Sequence, residues 1–385
     1  MLARIQTARK TQKIGLLIHS GAQIFSNGII QNAYFLYESF ERLGLSCQFV
    51  CHEENPKPFE YKGLSLQTIS TNQLLFNPRE FHTIITITRG MSRDMYTYLK
   101  SFHIYIVGFI CGNTLMHDCE DFTRGSFFKG QSTHIGKGSP VDDLWVIPSY
   151  KLSLDYISLI RGSPAYTVPH LWSSRIIEET TANTLKKNVQ DLHYNYAAHT
   201  GKKIDILILE PNIALFKNAW IPIVAGEKIH QENPDLIDNI YVFNFPEEAQ
   251  AHTMTDNLTV NGKIRKFKRL TIPEIFMHFN QKDSFPVIVS HQVLNGLNYL
   301  YYEALFYGWP LVHNSLDMED CGYYYNGNNF VDCAKAIKEA YISHNRQIET
   351  YKARGRKFME RVDPSNPAVG KIWDQLLNAG LSKSL

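Results

Sequence analysis

The chain has 385 residues, of which 44% are hydrophobic, 12% aromatic and 20% charged. This composition is typical of a globular protein that builds substantial cores, and the length favours two domains over one. A net charge of +2 argues against general nucleic-acid or membrane binding, although it leaves room for a local basic groove.

Neither the six cysteines nor the N-terminus indicates an exported protein. No two cysteines form a C-x-x-C pair and most lie in or beside apolar runs. Buried reduced thiols are therefore expected, rather than disulfides or a metal site. Residues 1–13 are basic, but no apolar signal-peptide segment follows them, and the run from Ile104 to Cys111 is too short to span a bilayer. We expect a cytoplasmic protein, located in a host cell if its source is viral.

Alternating strands and helices are predicted after a loose basic arm at residues 1–12. The predicted strands are Ile14–Ser20, Ser46–Cys51, Thr83–Thr88, Ile104–Cys111, Asp143–Pro148 and Ala165–Pro169, with helices at Ile29–Leu43 and about Ser92–Phe102. The loop Gly21–Gly28 joins the first strand to the first helix. It lacks G-x-G-x-x-G, which disfavours a dinucleotide site.

Polar residues that follow these strands are candidates to face a ligand, because ligands gather at the carboxyl ends of parallel strands. Asn27 and Gly28 form the turn before the first helix, where Ser26–Gly28 is the expected N-cap. The other candidates are Arg89, Asn113, His117 and Asp118. Each has the alternative role of an ordinary loop or capping residue.

A polar stretch at residues 173–202 marks the predicted domain boundary. We expect a first domain at 1–175, a linker at 176–202, a second domain at 203–360 and a C-terminal helix at 361–385 that could cross back to the first. In the second half the predicted strands are Ile204–Leu209, Asn239–Asn244, Leu258–Gly262, Lys266–Leu270, Pro286–Ser290 and one from Leu311. One predicted helix follows Asn218 and ends at about Gln231. The other predicted helices span Pro273–Asn280, Asp332–Arg361 and Asn366–Leu377. The fold class is therefore α/β, with two Rossmann-like domains and a cleft between them.

The segment from residue 290 to 315 carries the strongest functional signal. After a strand, Asn295 and Gly296 form a turn at the predicted start of a helix, and its N–H groups favour an anion such as a diphosphate. Gly308 ends that helix and Pro310 prevents its continuation. Glu303 lies off the predicted apolar stripe of the helix. It is either solvated or an acceptor for a pair of ligand hydroxyls.

This segment resembles the donor-binding signature of GT-B nucleotide-sugar glycosyltransferases, in particular the retaining family with an E-x7-E motif. That family has Glu-Gly-Phe-Gly, four residues, Glu-Ala, and then Cys-Gly-x-Pro-Val-Val. This chain has Asn295-Gly296-Leu297-Asn298, four residues, Glu303-Ala304, and then Tyr307-Gly308-Trp309-Pro310-Leu-Val. Glu303 matches the second glutamate, which binds ribose in the family. Asn295 and Asn298 replace the first glutamate and the second glycine.

A second match lies upstream, where the family has Gly-Arg-Leu, three residues, and Lys-Gly. Here Pro211-Asn212-Ile213 is followed after three residues by Lys217-Asn218. Lys217 matches the lysine that binds the diphosphate, and Asn212 replaces the arginine. The chain also resembles a little-characterised set of bacterial and viral glycosyltransferase-like proteins. That likeness rests on Cys111-Gly112-Asn113 and Glu210-Pro211-Asn212.

The resemblance implies sugar transfer from a nucleoside-diphosphate donor, with UDP- or GDP-sugar as co-substrate, to a hydroxyl. It implies retention of configuration and no bound metal or other cofactor. Lys217 and the Gly296–Asn298 amides would stabilise the diphosphate, Glu303 would orient the ribose, and Asn27-Gly28 would approach from the facing domain. If the reaction were inverting, Asp118 or His117 would be the candidate base.

The acceptor stays open at this point. A glycan or a lipid-linked sugar is expected. The alternative is a hydroxymethylated base in DNA, and the DNA phosphates could then contact the basic segment Lys263–Arg269. The carboxylates of Asp317–Asp320 are expected to lie in an exposed loop. A different class of function is a non-catalytic protein that binds nucleotide sugars or acts as a scaffold.

Overall fold

The computed structural model describes residues 2–19, 28–61, 64–87, 90–124 and 140–384. The chain forms two compact units, one of residues 1–173 with 361–385 and one of residues 174–360. Asn27, Arg89 and the loop from residue 20 to 27 lie outside the described residues. Of the described residues, no helix combines the length and the hydropathy needed to cross a bilayer.

The first unit contains a seven-stranded, fully parallel sheet in the order β5-β2-β1-β6-β7-β8-β9. Its strands are β1 Lys13–Leu17, β2 Cys47–Cys51, β5 Thr68–Ser70, β6 Phe81–Thr86, β7 Tyr105–Ile110, β8 Asp143–Val146 and β9 Ala165–Thr167, beside a hairpin of β3 Phe59–Tyr61 and β4 Leu64–Leu66. Its helices are α1 Leu2–Thr11, α2 Gly28–Arg42, α3 Thr71–Phe76, α4 Arg93–Lys100, α5 Thr114–Arg124, α6 Leu154–Arg161 and α14 Pro367–Ser384.

The second unit contains a six-stranded parallel sheet in the order β12-β11-β10-β13-β14-β15. Its strands are β10 Ile204–Ile208, β11 Ile237–Phe243, β12 Ile264–Phe267, β13 Phe285–Val289, β14 Leu311–His313 and β15 Tyr323–Tyr324. Its helices are α7 Arg175–Glu179, α8 Tyr196–His199, α9 Trp220–Glu232, α10 Ala249–Asp256, α11 Ile272–Asn280, α12 Tyr299–Tyr307 and α13 Phe330–Met359. The α/β class predicted from the sequence is confirmed.

The C-terminal helix α14 completes the core of the first unit. Trp373 is fully buried, and its ring lies 5.3 Å from that of Trp145 and 5.8 Å from that of Phe40. At the end of the helix, the Lys383 ammonium donates to both carboxylate oxygens of the buried Asp143, at 2.8 and 2.7 Å. The two charges compensate each other, which makes burial of Asp143 tolerable.

The secondary structure predicted for residues 1–12 and for residues 258–262 is wrong. Residues 1–12 are not a loose arm, because α1 packs on α14, where Arg9 pairs with Asp374 at 2.5 Å and donates to Asn378 at 2.8 Å. Residues 258–262 are not a strand. Thr259 and Val260 instead donate to the carboxylate of Glu227 on α9, which draws this segment away from the sheet.

The second unit also includes the segment predicted as a linker, which packs on α12 and its continuation. The indole of Trp309 donates to the Leu192 carbonyl at 2.8 Å, and the amide of Tyr194 donates to the Tyr307 carbonyl at 2.9 Å. Phe276 stacks on Trp309 with 4.4 Å between ring centroids. These contacts fix the C-terminal end of α12.

We predict that Gly322→Ala destabilises the protein by about 2 kcal/mol more than Gly327→Ala does. Both glycines have a positive φ, 64° and 55°, so both substitutions carry the cost of a left-handed backbone, about 1 to 2 kcal/mol. At Gly322 an added Cβ would also lie 2.9 Å from the Leu311 carbonyl oxygen, whereas Gly327 has open space. Urea unfolding of both variants measures the difference, and equal costs would contradict the packing argument.

Candidate functional site

The candidate site lies where the strand order of the second sheet reverses. β10 and β13 are adjacent there, while the chain continues from β10 to β11 on one side and from β13 to β14 on the other. Loops at the carboxyl ends of such a pair form the usual ligand crevice of open parallel sheets. The loop after β10 carries Asn212 and Lys217, and the loop after β13 carries Asn295 and Gly296.

These two loops are joined by backbone pairing. Lys217 forms an isolated antiparallel bridge with Gln292, and the Val293 amide donates to the Phe216 carbonyl at 3.0 Å. The half-buried Lys217 and the segment that begins at Gln292 are therefore held side by side. The two segments that carry the sequence matches, about 80 residues apart in the chain, are therefore neighbours in the fold.

Asn212 shapes the first of these loops. Its backbone is left-handed, with φ at 54°, and its amide nitrogen donates to the carbonyls of Glu210, Phe243 and Asn244 at 3.1 to 3.2 Å. Its amide oxygen accepts from the Ala219 N–H at 2.7 Å. The side chain thus organises the loop that presents Lys217.

Helix α12 begins at Tyr299, so the prediction that Asn295 and Gly296 form its N-terminus is wrong. Asn298 is the N-cap, and its side-chain oxygen accepts from the Leu300 N–H at 3.2 Å. A short polar N-cap side chain satisfies an N–H group that would otherwise lack an acceptor, which sets the helix start here. Leu297, the residue before the cap, is buried.

Gly296 lies in the loop before the cap, where the backbone is approached closely. The Ser315 hydroxyl donates to the Gly296 carbonyl at 2.5 Å, and an added Cβ would contact Asp317. Asp317 is half-buried, while Glu319 and Asp320 are exposed as predicted. Within the described residues, no group of three or more His, Cys, Asp and Glu side chains could hold a metal ion.

Glu303 is buried in α12, with 9% of its surface exposed. The amphipathic stripe predicted for this helix is wrong, because seven of its nine residues are buried and they surround the axis. No hydrogen bond or ion pair joins the Glu303 carboxylate to any residue that the structure describes. Burial raises the pKa of Glu303 to about 8. The solvated alternative for Glu303 is thereby excluded.

Glu210 was not among the site residues predicted from the sequence. It follows β10 and is buried, and its carboxylate accepts from the Ser290 hydroxyl, the His291 N–H at 3.3 Å and the Gln292 side-chain amide at 3.1 Å. Burial raises its pKa to about 7, against the opposing effects of these donors and of the Lys217 charge. The signal in the sequence was a carboxylate directly after an apolar strand.

The remaining candidates belong to the first unit. Gly28 is the first residue of α2, and its carbonyl accepts from the Asn32 side chain at 2.8 Å. His117 and Asp118 lie on α5. Asp118 is buried, and its Oδ2 accepts from the Tyr156 hydroxyl at 2.6 Å. His117 and Asp118 are consecutive residues on one helix of the first unit. In the second unit, Lys217 pairs through its backbone with Gln292, whose side chain accepts from that of Asn295.

Comparison with solved structures defines the class of fold. Sucrose-phosphate synthase from Thermosynechococcus elongatus matches with a TM-score of 0.62 and 11% identity over 97% of this chain and all of that one. Anabaena HepE in complex with UDP and glucose gives 0.58 and 11% over 96% and 100%. An α-glucosyltransferase in complex with UDP and a 13-mer DNA containing a HMU base gives 0.57 and 10% over 97% and 100%. The chain has the fold of the GT-B glycosyltransferases.

A family model also matches the sequence itself. The chain belongs to the family described as "Protein of unknown function (DUF2827)", whose profile matches residues 13–377. No curated protein matches the sequence. The resemblance to the retaining E-x7-E family stays a prediction.

We predict that Glu303→Gln stabilises the protein increasingly as the pH rises. The pKa of Glu303 is raised from 4.5 to about 8 in the folded state, so the carboxyl group favours folding below pH 4.5 and loses this contribution as the pH rises through 8. Glutamine does not titrate. The melting temperature of the variant should therefore equal that of the wild type near pH 5 and exceed it by several degrees at pH 8 to 9.

Thermal melts from pH 5 to 9 measure this difference. Glu339→Gln is the control, because Glu339 is exposed in the same unit and should show no such trend. A difference for Glu303→Gln that does not change with pH would contradict the assigned pKa.

Proposed function

We propose that this protein transfers a sugar from a nucleoside-diphosphate donor to an acceptor hydroxyl. The observation that carries the proposal is Glu303, a buried carboxyl group with no hydrogen-bond partner among the described residues, on the helix that follows strand β13 of a GT-B sheet. A buried carboxyl group without hydrogen-bond partners destabilises the folded protein, and such groups are found mainly at binding sites. A pair of ribose hydroxyls would supply the missing donors.

Lys217 and the backbone of Gly296–Asn298 would bind the diphosphate. The proposal is supported by the bridge between Lys217 and Gln292, which holds the backbone of Lys217 beside the segment that leads into α12. Preorganised positive charge lowers the barrier by stabilising the charge that develops on the leaving diphosphate. A UDP- or GDP-sugar is the expected donor, and the complexes of HepE and the α-glucosyltransferase contain UDP.

We propose a retaining reaction, in which the leaving phosphate takes the proton of the acceptor hydroxyl and the protein mainly positions the reactants. Asp118 or His117 would act as the base if the reaction were inverting. One oxygen of Asp118 already accepts from Tyr156 and the other is buried without a hydrogen bond among the described residues. One of the two carboxylate oxygens of Asp118 is therefore already occupied, which supports the retaining alternative.

A glycan or lipid-linked sugar is the proposed acceptor. The DNA alternative depended on the basic segment at residues 263–269, and two of its cations are engaged within the fold. Lys263 donates to the carbonyls of Pro234 and Ile237, each at 2.6 Å, and Lys266 lies 3.7 Å from the Asp256 carboxylate. Fewer cations are then available for phosphates.

We predict that Lys217→Ala and Glu303→Gln each lower the turnover of the preferred donor by at least about tenfold, a loss of about 1.4 kcal/mol of transition-state stabilisation. The measurement is hydrolysis of, or transfer from, a panel of radiolabelled UDP- and GDP-sugars. Lys228→Ala is the matched control, because Lys228 pairs with Glu232 on the surface of α9. Wild-type rates in both site variants would contradict the site. Binding without any turnover would indicate the non-catalytic alternative.

We predict that binding to duplex DNA shows no steep salt dependence. A protein that contacts six to ten phosphates loses roughly 10³ to 10⁵ in affinity between 50 and 200 mM salt. Fluorescence anisotropy with hydroxymethylated and unmodified duplexes measures the slope. A steep slope together with tighter binding of the modified duplex would favour a DNA acceptor instead.

A further inference from the structure

Three consecutive residues at the carboxyl end of β14 contact the loop that follows β13. They are His313, which is the last residue of the strand, and then Asn314 and Ser315. Because β14 pairs in parallel with β13, its carboxyl end lies beside that loop. Asn314 forms hydrogen bonds with Gln292, and Ser315 forms one with Gly296. The segment after β14 therefore supports the loop at two places.

The side-chain amide of Asn314 pairs with the backbone of Gln292 as a neighbouring strand would. Its Oδ1 accepts from the Gln292 N–H at 3.0 Å, and its Nδ2 donates to the Gln292 carbonyl at 2.8 Å. On the opposite side of the same segment, the Val293 amide donates to the Phe216 carbonyl, beside the bridge between Lys217 and Gln292. Backbone groups of successive residues in an extended segment point to opposite sides. Gln292 thus lies between the Lys217 loop and the Asn314 amide.

The Asn314 amide has only one orientation that satisfies its neighbours. Nδ2 also donates to the Gly327 carbonyl at 3.2 Å, so both hydrogens of the NH₂ group are used. If the amide turned over, its oxygen would face two carbonyl oxygens and its NH₂ group would face the Gln292 N–H. All three hydrogen bonds would then be lost, so this side chain is a rigid support for Gln292.

Ser315 supports the part of the loop closer to α12. Its hydroxyl donates to the Gly296 carbonyl at 2.5 Å. Since a peptide group is planar, this hydrogen bond also fixes the orientation of the whole peptide between Gly296 and Leu297. An added Cβ on Gly296 would lie 3.0 Å from the Ser315 Oγ, which shows how closely the two segments approach.

His313 in turn orients Ser315. The Ser315 backbone N–H can only donate, so the His313 Nδ1, at 3.1 Å, is the acceptor. The ring hydrogen is then on Nε2, which donates to the Cys321 carbonyl at 2.8 Å. His313 is fully buried, and burial lowers its pKa to about 4, so the ring is neutral at physiological pH. The position of Ser315 therefore depends on β14 and on the turn at Cys321.

We propose that Asn314 and Ser315 are positioning residues that hold the Lys217 loop and the Gly296 loop at the spacing that a diphosphate requires. The inference rests on the proposed function, in which these two loops bind the diphosphate. Neither side chain has to touch the ligand. Loops that are already ordered before binding give a higher affinity, because no ordering cost is then subtracted from the contacts.

The test compares ligands with and without the diphosphate by isothermal titration calorimetry. The ligands are UDP and GDP, each beside its nucleoside, uridine or guanosine. We expect Asn314→Ala and Ser315→Ala each to weaken binding of the preferred nucleoside diphosphate by at least about tenfold, and of its nucleoside by less than about twofold. A general loss of structure would weaken both ligands alike.

Each variant has a matched control. The half-buried Asn280 also accepts from one backbone N–H and donates to two backbone carbonyls, but it precedes β13 and so lies at the amino end of that strand. Asn280→Ala is therefore the control for Asn314→Ala. The buried Ser163 donates to a backbone carbonyl in the first unit, so Ser163→Ala is the control for Ser315→Ala. Neither control should change the ratio of the two affinities.

Hydrogen exchange without ligand tests the support itself. The Gln292 N–H donates to Asn314, so it should exchange at least about tenfold faster in Asn314→Ala than in the wild type or in Asn280→Ala. An unchanged exchange rate at this amide would contradict the inference whatever the ligands do.

The binding outcomes separate the two proposals. If the wild type binds neither nucleoside diphosphate, the proposed function fails and this inference with it. If the wild type binds one, but either folded variant matches its control or loses as much affinity for the nucleoside as for the diphosphate, the inference alone is wrong. Should one of the two variants not fold, the other decides the question.

Discussion

The parallel pairing of β10 with β13 is the interaction on which the candidate site depends. Ile204 to Leu207 lie in register with Phe285 to Ile288, so the two strands end at the same level. Glu210 and Ser290 follow those ends and meet through a hydrogen bond. From there, backbone pairing between the two loops places Lys217 beside the segment that enters α12. A shift of this register by one residue would separate every one of these groups.

Much of the architecture could be predicted from the sequence, because its strands are short, β-branched and bounded by polar turns. The strand that ends before Ser290 and the helix that ends at Gly308 are examples. Helix α1 could not be predicted, since its partner Asp374 lies at the far end of the chain. Residues 258–262 were misassigned because nothing in their pattern reveals that Glu227 accepts their amides.

Candidate site residues could be predicted from the sequence where the spacing of a motif identifies them. They could not be predicted where their role depends on side-chain burial. Lys217 and Glu303 were proposed as site residues from their positions in two motifs. The burial of Glu303 was not predicted, because tyrosines at 302 and 307 resemble amphiphilic surface residues in a sequence, whereas both are buried. Glu210 was overlooked for a related reason. Its importance comes from contacts with residues 80 positions away, and no local pattern records them.

The two buried carboxyl groups of the candidate site differ in how the cost of their burial is offset. Glu210 is surrounded by donors, and Glu303 has none among the described residues. The donors around Glu210 offset much of the free-energy cost of desolvating its carboxyl group. At Glu303 that cost is not offset in the absence of a ligand. A ligand that supplies hydroxyl groups to Glu303 would then gain binding energy from relieving it.

The path of the chain through the first unit has a consequence for biosynthesis. That unit is discontinuous, since residues 174–360 lie between its larger part and the segment that carries Trp373. On the ribosome, the second unit is complete in the nascent chain before the first unit's last helix has been made. The apolar surface around Trp145 and Phe40 remains exposed to solvent during that interval. The unit whose synthesis begins first therefore finishes folding last. Chaperones would be needed most while its apolar core lacks the C-terminal helix.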